Sequence, residues 1–164
     1  METPPPAPPK VTPAQGRRMR SAARFYAVQA LFQMEAANAG LETVRHEFET
    51  HRMGAEIDGE EYADADLEHF RRLLNATVTD QARIDQLTHR ALVARWPIDR
   101  IDPTLRALFR AAGAELIATE TPPRVTITEF VDVAKAFYPE GRESGFVNAV
   151  LDHMAREARP EAFA

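Results

Sequence analysis

No stretch of the chain alternates apolar and polar residues in the period-two manner of a half-buried strand, the short Arg124–Ile127 being the one candidate. The segments between breakers instead carry helical spacing. Arg17 to about Asn38 has neither proline nor glycine and is rich in alanine, leucine and glutamine, which predicts a helix ended near Ala39-Gly40 by a glycine C-cap. A second helix is expected over about Leu41–His51, and the acidic, glycine-containing stretch Met53–Asp66 reads as a loop. Two more should span about Tyr62–Val78 and Asp80–Arg95, before Trp96-Pro97 breaks the pattern.

Asp102-Pro103 pairs an N-cap aspartate with proline at the first helical position, opening a helix to about Thr119, where Pro122-Pro123 follow. Thr126-Ile127-Thr128-Glu129 has capping-box spacing and predicts a helix to about Phe137. After the Pro139-Glu140-Gly141 turn, a last helix should cover about Arg142–Ala158 and stop before Pro160. The expected fold is therefore an all-α bundle of about seven helices.

Length allows one domain, or two small subdomains sharing an interface. Six of the twelve prolines fall in residues 1–16, so that segment is expected to be a disordered tail, with a helical domain over 17–159 and a short tail over 160–164. Nothing approaches the roughly 18 apolar residues of a membrane span, and the N-terminus lacks the apolar core of a signal peptide. A cytoplasmic protein is the simplest expectation. Without cysteine there is no disulfide framework, thiolate nucleophile or Cys-type zinc site.

Net charge is −5, which taken alone argues against a nucleic-acid ligand. The distribution changes the picture. Residues 1–34 hold five basic side chains against one acidic, and the remainder 15 against 24. Phosphate responds to local potential, not to the whole-chain sum. On the first helix Arg17, Arg20, Arg24, Ala27, Val28, Leu31 and Glu35 share one sector, a face that turns from cationic to apolar along its length. Guanidiniums held past the end of a bundle suit bidentate phosphate contacts and base stacking, while a merely solvated basic N-terminus gives the same pattern. Phe25, Tyr26 and Phe32 lie near these arginines, as aromatics do in single-stranded RNA sites, though each also suits a core.

The five histidines form no HxxxH pair, so no metal is assigned; the acids of 56–66 lack the spacing of a calcium loop. There is no phosphate-binding glycine loop and no nucleophile elbow, and Ser21 and Ser144 are the only serines. Neither an enzyme nor a cofactor is expected.

Three segments, in order, carry a resemblance. Ala23–Phe32 (ARFYAVQALF) is similar to an ARxxAxQALY helix; Arg100-Ile101-Asp102, Leu108-Phe109-Arg110 and Glu115-Leu116 match a RID…LR…EL pattern; Val125–Lys135 and Phe146–Asp152 resemble VxINEAVELAK and FVNGVLD. Together, over about Arg17–Arg159, they resemble the NusB family. Much of this signature encodes fold: Ala134, Phe137, Phe146, Val147, Val150 and Leu151 suit packing faces.

The resemblance implies two three-helix subdomains joined by a linker helix, and a transcription antitermination factor that binds boxA RNA of ribosomal RNA leaders. It implies a heterodimer with NusE, a ribosomal small-subunit protein, acting with other Nus factors and RNA polymerase; homodimerisation is left open. Carried onto matching positions, the RNA surface would include Arg20, Arg24, Phe32 and Phe146, with Arg17 and Arg18 as extensions of the basic arm. The partner surface is not assigned residue by residue, the central helix around Asp102–Glu115 being the expectation. Departures are Thr128 for the usual asparagine, Ala149 for the usual glycine, and Arg142 and Gly145 before Phe146. Two alternatives stand beside this reading: an RNA-binding accessory domain of a ribosomal RNA methyltransferase, and a non-catalytic oligomerising module.

Overall fold

Thr12 begins the first helix. Its Oγ1 accepts from the Gln15 backbone amide at 3.1 Å while the Gln15 side chain accepts from the Thr12 amide at 2.8 Å, a reciprocal capping box with Pro13 at the first helical position. The resulting helix α1, Pro13–Ala37, starts four residues before the expected Arg17, within what composition marked as tail. It ends on Asn38 in the left-handed region at φ 49° and not on Gly40; the Ala39 amide reaches back to the Met34 carbonyl. Gly40, extended at φ −76°, is the N-cap of the next helix.

The computed structural model describes residues 3–5, 11–53, 56–57, 60–61, 64–92 and 101–164. The remaining helices are α2 (Leu41–His51), α3 (Leu67–Thr79), α4 (Gln81–Ala91), α5 (Pro103–Ala118), α6 (Pro123–Phe137) and α7 (Glu143–Ala158), with a 3-10 turn over Pro160–Phe163. A two-residue antiparallel ladder, β1 (Glu56–Ile57) with β2 (Glu60–Glu61), sits in the acidic segment read as loop. The Trp96-Pro97 break and Arg100 lie outside the described residues.

Two local expectations are corrected. Arg124–Ile127 is helical, part of the first turns of α6, and not a strand. The capping box at Thr126–Glu129 does not form, because Pro122-Pro123 start that helix a turn earlier, Pro123 supplying the fixed φ and lacking the amide that would need a cap. Thr126 and Glu129 are thereby freed for long-range contacts. The Asp102 start is as expected: its carboxylate accepts from the Thr104 amide at 2.7 Å.

Helices α1, α2 and α3 pack on one another as a first group; α4, α5, α6 and α7 form the second, with α4 lying against α5 and α7. The groups are joined chiefly through α5, whose residues Leu105, Ala107, Leu108, Phe109 and the whole run 111–116 are buried. Contacts from Arg24 to Glu115 and from Glu35 to Arg106 show that α5 runs antiparallel to α1. Small residues allow the close approach. A Cβ at Gly113 would lie 2.6 Å from Ile84 Cγ2 and 3.4 Å from Met154 Cε, so glycine lets α5 touch α4 and α7 at once. The core is one continuous cluster that includes Phe48, Phe70, Phe109, Phe130 and Met154.

Candidate nucleic-acid interface

The start of α1 leaves Thr12, Gln15, Arg17 and Arg18 exposed, while from Ala23 on one face of the helix is packed in the core. Arg17 and Arg18 lie open to solvent. Arg20 is half-buried and lines a hollow of about 270 Å³ with Asp66, His69, Arg72 and Thr119–Thr121. Among the described residues none of these three arginines is ion-paired, so their donors are available to an anion.

Arg24 is different. It is only 2% exposed, which removes it from any RNA surface. Its Nε donates to Glu115 Oε2 at 2.8 Å and to Oε1 at 3.1 Å, and Nη1 lies 3.4 Å from Glu129 Oε1. Glu115 also accepts from Thr126 Oγ1 at 2.8 Å and faces His69 Nε2 at 2.7 Å; beside a carboxylate, that ring nitrogen must carry the proton. Ser21 completes the set by donating to Glu129 at 2.9 Å. One carboxylate with no exposed surface thus ties α1, α3, α5 and α6 together. Burial alone would push the Glu115 carboxyl up, but the His69 hydrogen bond and the Arg24 guanidinium outweigh it and hold it below the ordinary value. The cationic face is exposed at Arg17 and Arg18, half-buried at Arg20, and one turn later, at Arg24, it has entered the core.

Phe32 is 39% exposed and shares a hollow of about 360 Å³ with Val28, Gln29, Arg52, Thr104 and Phe137. Phe25 stacks on Phe137 at 5.0 Å with planes 15° apart, so its ring is largely engaged. Phe146 is half-buried and sits edge-to-face on Phe109 at 6.1 Å. At roughly 1.5 Å per residue, Phe32 lies about 18 Å along α1 from Arg20. Phe109 is six residues before Glu115 on an antiparallel helix, so Phe146 belongs to the Phe32 half. The expected site residues therefore divide: Arg17, Arg18 and Arg20 at one end, Phe32 and Phe146 toward the other, and Arg24 buried between.

Sequence reasoning left His69 among scattered histidines and gave Glu129 to a cap. A signal for the network was present. Glu115 is the single acid in the run 103–118, inside an alanine- and leucine-rich face, and a buried acid demands a buried donor. The expected partner surface around Asp102–Glu115 is restricted by burial to the first two turns of α5, since the run 111–116 faces other helices.

The family model described as NusB family matches residues 21–156. The chain belongs to the NusB family. Similar proteins include the transcription antitermination protein NusB of Rhodopseudomonas palustris (strain BisB18), 47% identical over 145 residues, covering 88% of this chain and 85% of the relative. The protein of that name in Agrobacterium fabrum is 44% identical over 158 residues, covering 96% of this chain and 93% of the relative. Among solved structures, NusB of T. maritima superposes with a TM-score of 0.69 at 31% identity, covering 88% of this chain and 96% of that one. A NusB–NusE complex with double-stranded RNA gives 0.67 at 24% identity, covering 85% and 98%, and attests the shared fold. The family match begins at Ser21, so Arg17, Arg18 and Arg20 lie before it and stand on their own geometry. Among the described residues no helix is long and apolar enough to cross a membrane.

Proposed function

We propose that this chain is a cytoplasmic, non-catalytic transcription antitermination factor that binds boxA-type RNA as a heterodimer with NusE and helps RNA polymerase, with other Nus factors, read through terminators. The observation that carries the reading is family membership at 44–47% identity to proteins of that name, over nearly the whole length of both. The local chemistry agrees with it: three guanidiniums with no ion pair among the described residues lie along one helix start of an otherwise acidic protein, two of them exposed and Arg20 half-buried. In this reading Arg17, Arg18 and Arg20 hold phosphates, and the exposed ring of Phe32 and the open part of Phe146 are available for stacking. Arg24 has a structural part instead. The helical domain, from Thr12 to Arg159, is the RNA-binding body. The methyltransferase-appended alternative is not favoured, because the matched relatives carry the antitermination name along 84–93% of their own length.

The experiment is a titration of boxA and scrambled oligonucleotides, with and without NusE. If both proteins touch one RNA, NusE should strengthen binding by about 1–3 kcal/mol of coupling, and by the same amount in reverse. Equal affinity for boxA and scrambled RNA under both conditions would refute the reading.

A further inference from the structure

Beyond Arg159 the chain turns back as a 3-10 turn, Pro160–Phe163, and sets Phe163 among arginines. The guanidinium carbon of Arg124 is 4.8 Å from the ring centroid and that of Arg156 is 4.6 Å. Arg124 lies in the first turn of α6 and Arg156 in the last turn of α7, the adjacent ends of two packed helices. Arg124 is exposed and has no carboxylate partner among the described residues, while Arg156 is held by Asp152 at 2.9 Å. The polar tether is light: Arg159 pairs with Glu161 at 2.8 Å and the Ala162 amide reaches the Arg159 carbonyl, while the half-buried Phe163 ring packs against the edge of the core. Such exposed pairs contribute little against solvent.

A flat ring against guanidinium planes is also how proteins hold an unpaired base. Phenylalanine supplies the π face but none of the edge acceptors that guanidinium N–H groups can use. The position matters as well. Thr121, three residues before Arg124, lines the hollow that holds Arg20, together with Arg72 and the acids Asp66, Glu68 and Glu120. Lifting the turn would also carry away Glu161 and leave Arg159 unpaired, raising the local positive potential where a phosphate would arrive.

We propose that Phe163 occupies a slot for an unpaired RNA base, and that Pro160–Phe163 is a detachable cover competing with RNA for Arg124 and Arg156. The inference rests on the RNA-binding reading above. A cover closed about 70–90% of the time lowers apparent affinity roughly three- to tenfold, because only the open fraction binds.

The test measures binding of a boxA oligonucleotide to the full chain with NusE present. Phe163→Ala should tighten binding roughly three- to tenfold, and adding Arg124→Gln should abolish that gain. Phe163→Trp, a better cation–π partner, should weaken binding. Should Phe163→Ala melt too low to be titrated, the tryptophan variant decides: weaker binding supports the cover, and unchanged or tighter binding overturns it. Unchanged or weaker binding by a well-folded Phe163→Ala protein overturns it too, as does a gain in affinity for NusE without one for RNA. The controls keep the two readings apart. A wild-type chain that binds boxA but ignores Phe163 loses only the cover, whereas a wild-type and a Phe163→Ala protein that both fail to bind boxA lose both.

Discussion

Replacing Arg24 by methionine tests whether the buried carboxylate network holds the bundle together. The substitution keeps most of the side-chain volume and removes the guanidinium. Glu115, with no exposed surface, would then keep only His69 and Thr126 as partners, and Glu129 would lose Arg24 and keep Ser21. Removing one member of a buried pair strands the other charge, at about 3–5 kcal/mol. That is a large share of the roughly 5–15 kcal/mol that stabilises a typical domain. For a chain of this length each kcal/mol shifts the melting temperature by about 2–4 °C, so a fall of about 6–20 °C is expected by calorimetry. Glu115→Gln should also destabilise, and the double variant should cost clearly less than the sum, because the two residues share one interaction. RNA binding gives the second readout. At temperatures where Arg24→Met is folded, its salt slope should equal that of wild type, since no phosphate contact has been lost. A melting temperature within a degree or two of wild type, with a flattened salt slope, would refute this reasoning and return Arg24 to the RNA surface.

The acid limb of stability should carry the mark of Glu115. Its carboxyl is held below the ordinary 4.5, so as pH falls the unfolded chain takes up the proton first; the contribution is complete above about 4.5 and disappears as pH drops through the folded value. Melts over about pH 3 to 6 should show a shallower decline for Glu115→Gln than for wild type, and identical slopes would count against it. Reversing Arg17 and Arg18 together to glutamate should leave the melting temperature unchanged. In RNA titrations it should reduce the salt slope by about 0.7 per lost contact. Gly113→Ala, which drives a methyl group toward the β-branched Ile84, should cost about 1–3 kcal/mol in urea denaturation, despite the better helix propensity of alanine.

Helix order and most boundaries were legible because they depend on local chemistry. Asp102-Pro103 carries its own cap and first-turn residue, and the structure starts α5 there. The misread ends are those where two local signals competed. Asn38 took the left-handed position that Gly40 could have filled, and Pro123 started α6 before the Thr126 box could act. The cationic stripe was legible only as a direction around α1. Where that direction crosses from solvent into protein depends on α5 and α6, which approach from some 90 residues away, so Arg20 and Arg24 look alike in sequence and differ completely in the fold. Phe163 gave no signal at all, since its partners are separated from it by 39 residues in one case and seven in the other.

The central place of α5 has a consequence for how the protein is made. When a ribosome has released residues 1–92, α1, α2 and α3 can form, but α5, which packs against both α1 and α3, has not yet emerged. The nascent half must carry an open apolar seam, with Arg24 waiting for its counter-charge, until Glu115 leaves the exit tunnel. At roughly 5–20 residues per second that wait lasts on the order of seconds. Chaperone capture during synthesis should therefore peak on chains stalled before α5, and vanish once α6 has closed over Glu115.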